Sequence, residues 1–124
     1  MTDFSDNLEN ELLDHVFRNA AYSSPSAVYL ALYTANPTDA GGGTEVAGSG
    51  YAREAITFGA ASGGAIANTS AVEFTAGGGN FGTITAVGIF DASTSGNLLA
   101  WNEITSVTIN DGDTLNFPIG DIDA

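Results

Sequence analysis

A change of texture at Pro25 constrains the fold more than any other feature of this chain. Before it, residues 6–20 hold neither glycine nor proline. Their apolar positions are Leu8, Leu12, Leu13, Val16, Phe17 and Ala20, which recur in steps of three and four with adjacent pairs. That spacing makes an amphipathic helical stripe and excludes strand alternation. Ser5 suits the N-cap, Asp6 and Glu9 suit the positive end of the helix dipole, and Arg18 suits the other end. The expected helix covers residues 5–20.

Beyond Pro25 the sequence breaks into short β-type runs separated by Gly, Pro, Asn and Asp. Strands are expected at 27–34, 52–58, 71–75, 83–90, 97–101, 104–109 and 114–119. Short strands at close spacing with turn residues between them define a β-sandwich or barrel. The run 83–90 is apolar on both faces, with Ile84, Ala86, Gly88 and Phe90 opposite Val87 and Ile89, as a central strand requires. The helix is a candidate cover for one of those faces. The expected fold is therefore mainly β, one β-sandwich (jelly-roll-like) over 27–119 with one N-terminal α-helix. At 124 residues the chain is expected to be a single domain, 1–124.

Composition narrows function by exclusion. Fifteen acidic residues against two arginines and no lysine give a net charge of −13. No basic footprint exists for nucleic acid or for an anionic membrane. With no cysteine, disulfides, thiolate nucleophiles and Cys-type metal sites are absent. The acidic N-terminus lacks the apolar core of a secretory signal, and no apolar run reaches membrane-spanning length. The sequon Asn68-Thr69-Ser70 then has no secretory route to give it meaning.

The candidate chemistry is sparse. Gly77-Gly78-Gly79-Asn80-Phe81-Gly82 matches the dinucleotide fingerprint in letters, yet a β-type run follows where a helix is required. His15 is the only imidazole and falls inside the helix, so no triad or histidine metal site assembles around it. Asp111 and Asp113 offer carboxylates that could begin a calcium site, and Asn110-Asp111-Gly112-Asp113 is equally what a tight turn wants; the turn is favoured. Glu54 and Glu73 have nothing to bring them together as a carboxylate pair. Tyr22, Tyr29, Tyr33, Tyr51 and Trp101 could stack on sugars, though such residues more often serve cores and interfaces. Neither a catalytic residue nor a cofactor is expected, and the chain is not expected to be an enzyme. Glycine clusters at 41–43, 48–50, 59–64 and 77–82 suggest loops that order against a partner.

Three segments carry a resemblance. Residues 31–39 (ALYTANPTD) with 43–46 (GTEV) and 50–53 (GYAR), then 82–92 (GTITAVGIFDA) with 96–101 (GNLLAW), then 109–114 (INDGDT) with Phe117, resemble a family of small tailed-bacteriophage virion proteins. Phe81 stands where that family's pattern suggests tryptophan. The resemblance implies a structural virion protein with no catalytic residues, most readily a capsid decoration (cement) protein on the head exterior. Its expected partners are the major capsid protein and its own copies, as a homotrimer. The alternative it implies is a tail-associated or tail-fibre module that recognises a host-surface receptor. The interface candidates are Leu8, Leu12, Tyr33, Tyr51 and Trp101.

Overall fold

The computed structural model describes residues 3–124. Strand β1 (Asp3–Phe4) leads into helix α1 (Asp6–Phe17). The remaining strands are β2 (Val28–Ala35), β3 (Thr44–Glu45), β4 (Glu54–Ile56), β5 (Val72–Thr75), β6 (Gly82–Phe90), β7 (Leu98–Ile109) and β8 (Thr114–Phe117). The architecture is mainly β, a sandwich with one N-terminal helix, as the texture of the chain requires. Its larger layer runs β1-β7-β6-β2-β3, with β4 also paired to β2, and its smaller layer is the antiparallel pair β5-β8.

Strand β6 is central, flanked by β2 and β7, which explains its double-sided hydrophobicity. Leu30, Leu32, Val87 and Ile89 face the inside of the sandwich, against Val72, Phe74 and Phe117 of the smaller layer. Phe74 and Phe117 meet edge to face at 6.2 Å, an arrangement favoured by ring quadrupoles. A second cluster of Ala31, Tyr33, Ala86, Phe90 and Leu98 occupies the other face of the sheet, with Trp101 against it.

Simple alternation places Ile84 with Ala86 and Phe90, and the structure does not. The β6–β7 register shifts between Ile84 and Ala86, where one β6 residue faces three of β7, and Ile84 joins Val87 in the inner core. Such an irregularity disrupts the ladder and bends the strand locally. The runs expected at 97–101 and 104–109 are likewise one continuous strand, β7.

The helix is shorter than expected and covers neither face. It stops at Phe17, Asn19 takes a left-handed φ of 55°, and none of its residues is buried. What fixes it is its first turn. Ser5 is 1 % exposed, and its hydroxyl donates to the Leu98 carbonyl while accepting from the Leu8 N–H. The Ser5 amide donates to the Leu99 carbonyl, so the cap is stitched to the start of β7.

The glycine-rich loops are held by the chain itself. Gly77 N–H donates to the Ser49 carbonyl, Gly78 N–H to Asp111 Oδ1, and Asp111 N–H to Asn80 Oδ1. The loops at 48–50, 77–82 and 110–113 thereby tie one another down.

Ser5→Ala removes both the cap and a buried donor. Urea unfolding of this variant is expected to show a loss of about 1–2 kcal/mol with an unchanged m-value.

Candidate functional site

The edge of β2 is shared by two short strands, and the gap between them generates the site. Val28, Tyr29 and Leu30 pair with β4, while Tyr33 and Ala35 pair with β3. The Leu32 N–H falls between the two and donates to the Tyr51 hydroxyl at 3.0 Å. That hydroxyl donates in turn to Glu45 Oε2 at 2.6 Å. Glu45 receives Arg53 in a two-point clasp, Nε to Oε2 and Nη2 to Oε1, each at 2.9 Å. Arg53 Nη1 reaches the carbonyls of Ala92 and Ser95, at 3.0 and 2.7 Å. Its guanidinium lies 3.7 Å from the centre of the Phe90 ring, within cation–π range.

The Arg53 side chain is only 8 % exposed, so its charge needs this full set of partners. Tyr51 carries the tie into the inner core, stacking on Phe74 at 6.0 Å and meeting Phe81 edge-on at 5.7 Å. Phe81 thus closes the aromatic cluster around Tyr51 from the edge.

Above Tyr33 and Phe90 lies an open cleft of about 550 Å³. Asn7 at the start of α1, the 39–43 loop and Asn97 wall it, and Glu45 and Asp39 supply carboxylates. The loop reaches this position because of Gly43, whose φ is +75° and whose missing Cβ would sit 2.7 Å from the Ala35 carbonyl oxygen. Asp39 locks the loop from the other end. Its Oδ1 accepts from Trp101 Nε1 at 2.9 Å, and its carbonyl accepts from the Asp6 N–H at 2.9 Å. Tyr33 is 3 % exposed, packs parallel to Phe90 at 6.5 Å and has no hydrogen-bond partner for its hydroxyl among the described residues.

The electrostatics follow from burial and partners. Burial alone would raise the Glu45 carboxyl, but hydrogen bonds from Arg53 and Tyr51 outweigh it and hold the group below its ordinary value. The bond to Glu45 holds the Arg53 guanidinium above its ordinary value against burial. Burial, reinforced by the Glu45 charge, pushes the Tyr33 phenol up to about 12. Burial and the bond to Glu45 also push the Tyr51 phenol up.

Of the interface candidates, Tyr33 floors the cleft, Trp101 braces its wall and Tyr51 belongs to the internal tie. Leu8 is half-buried against the chain's own inner core, and Leu12 is half-buried on the helix. The calcium candidates hold a turn. Asp113 Oδ2 accepts from the Asn110 N–H at 2.9 Å, Asp111 Oδ1 from the Gly78 N–H at 3.1 Å, and Gly112 takes a φ of +86°. The acidic trio that the fold does assemble is Asp6, Glu9 and Asp39, all exposed, with carboxylate oxygens within 4.8 Å of one another. His15 is exposed on α1, its Nδ1 3.1 Å from the Ala20 carbonyl. Asn68 is 2 % exposed and its amide nitrogen is occupied by the Ser70 and Pro118 carbonyls, so the sequon is closed to modification in the folded chain. Among the described residues no helix is long and apolar enough to cross a membrane.

The Arg53–Glu45–Tyr51 tie was not anticipated as a site. The signal for it was the isolation of Arg53 in a β-type run, since a cation placed there needs a carboxylate partner, and Glu45 lies eight residues away.

The class that the resemblance implies is a structural protein of a tailed-phage virion. The family model described as podophage GP4 fiber I protein gp80 matches residues 3–124, and the chain belongs to that family. A search of curated proteins finds no match.

The tie makes stability depend on pH at both ends. Because the Glu45 carboxyl is lowered on folding, its contribution is complete above the ordinary value of 4.5 and is lost as pH falls through the folded value. Because the Tyr33 and Tyr51 phenols are raised, theirs is complete below 10 and is lost as pH climbs through the folded values. The melting temperature is expected to be flat between about pH 6 and 9 and to fall on both sides. Glu45→Gln is expected to lower stability on that plateau by about 2–4 kcal/mol and to flatten the acid limb, as read by calorimetry from acid pH through the plateau.

Proposed function

We propose that this chain is a tail-fibre module of a podophage virion and that it meets a host-surface receptor through the cleft above Tyr33 and Phe90. The match to a fibre protein family across residues 3–124 carries this reading. The same match gives no support to a place on the head exterior, to the major capsid protein as partner or to a cement role. A structural role without catalysis is part of the proposal.

The cleft supports the reading through its chemistry. At about 550 Å³ it falls within the range of small-ligand pockets. Tyr33 puts an unpartnered phenol on its floor, and Asn7, Asn97, Asp39 and Glu45 line it, with Glu45 held by Arg53 and Tyr51, Asn97 by Asp91 and Asp39 by Trp101. Those groups suit a neutral, hydroxyl-rich ligand such as a sugar unit of an envelope glycan. Anionic sugars would meet like charge.

Phage particles lacking this chain are expected to keep their DNA on heating as well as wild type does, and to lose adsorption to host cells. Particles that adsorb normally but release DNA at lower temperature would instead restore the head-decoration reading. Tyr33→Phe is expected to slow adsorption about three- to tenfold while the number of copies per virion stays constant, as measured by plaque-based adsorption rates and gel densitometry.

A further inference from the structure

The distal half of α1 presents an apolar face that the sandwich does not use. Leu13, Val16 and Phe17 are 54, 66 and 79 % exposed. Their spacing of three and four residues puts them on one side of the helix. An isolated helix of 12 residues is marginal in water, and this one contributes no buried residue to its own chain. Its hydrogen bonds to the sandwich are made at the first turn, where Ser5 and Leu8 dock. A helix held at one end with its apolar stripe outward is built to bury that stripe elsewhere.

The charges around the stripe specify what covers it. Glu9 lies four residues before Leu13 and seven before Val16, and Asp6 lies seven before Leu13, so both continue the same side toward the N-terminus. Asp39 brings a third carboxylate to them, with oxygens of all three within 4.8 Å. Arg53 is enclosed by Glu45 and two carbonyls, and Arg18 makes an exposed pair with Asp14 at 3.2 Å. A second copy would therefore bring a net charge of −13 and a single exposed arginine to face this acidic margin.

We propose that the Leu13–Val16–Phe17 face of α1 docks into an apolar groove, rimmed by lysine or arginine, on a different protein of the virion. The apolar side chains anchor the contact, and Asp6, Glu9 and Asp39 set its orientation against the basic rim. This surface borders the receptor cleft at Asp39, its apolar anchors lie outside that cleft, and its occupant is a structural neighbour in the particle.

Two experiments on phage carrying the full chain test the proposal. First, Phe17→p-benzoylphenylalanine is introduced, purified virions are irradiated, and the cross-linked peptide is sequenced by mass spectrometry. The expected product joins Phe17's position to a different virion protein, in a segment with lysine or arginine beside apolar residues. Second, the triple variant Leu13→Ser, Val16→Ser, Phe17→Ser is compared with wild type. Its copies per virion are expected to fall about tenfold or more, while the free protein melts within about 2 °C of wild type because the replaced side chains are exposed. Cross-linking to a second copy, to a segment without basic residues, or to nothing overturns the proposal. Full retention of the triple variant in virions overturns it as well. Light scattering of the free protein in about 0.15 M salt gives an independent check: a monomer is expected, and a dimer abolished by Phe17→Ser assigns the face to self-association instead.

Discussion

The Glu45 carboxylate is the point on which the rest of this structure depends. Strand β2 must pair with two short strands along one edge, which leaves the Leu32 N–H without a ladder partner. A backbone donor left alone in that position would cost about 1–3 kcal/mol. The Tyr51 hydroxyl fills the gap, and Glu45 fixes the hydroxyl. The same carboxylate takes Arg53, which crosses to the 92–95 loop and lies over Phe90. One acidic side chain thus joins the two short edge strands, the inner aromatic core and the outer sheet face.

The cleft is a by-product of that arrangement. Arg53 and Phe90 hold one side of the outer face, and the 39–43 loop, turned at Gly43 and tied by Asp39 to Trp101, closes the other. Gly88 lets the floor form between them. A Cβ there would lie 2.9 Å from Leu98 Cδ1 and 3.0 Å from Tyr33 Cε2, so any side chain would displace the Tyr33 ring.

The coarse architecture was legible in residue patterns because it rests on periodicity. The break at Pro25, the helical stripe from Leu8 onward and the double-sided run 83–90 each report a local burial requirement. What patterns missed is set by pairing across the chain. Strand β3 has two residues and β1 has two, too few for any period to show. The register shift near Thr85 sends Ile84 inward, a decision taken by the ladder with β7 rather than by the alternation of β6. The helix end at Phe17 reflects the absence of packing beyond the first turn, which an amphipathic stripe cannot reveal. For the site, the aromatic residues Tyr33 and Trp101 stood out in the sequence, while the pairing of Glu45 with Arg53 depended on a contact between separate segments. The turn at residues 110–113 was readable because its geometry is local.

Turning Arg53 inward also shapes the field that this chain presents to its surroundings. With that guanidinium enclosed and Arg18 paired to Asp14, the surface sends an almost uniformly negative field into solution. Another acidic surface would be screened from it beyond about a Debye length, roughly 8 Å at physiological salt, and repelled inside that distance. Mobile counterions, and divalent ones most strongly, thin that repulsive layer and so set how closely a second acidic surface can come.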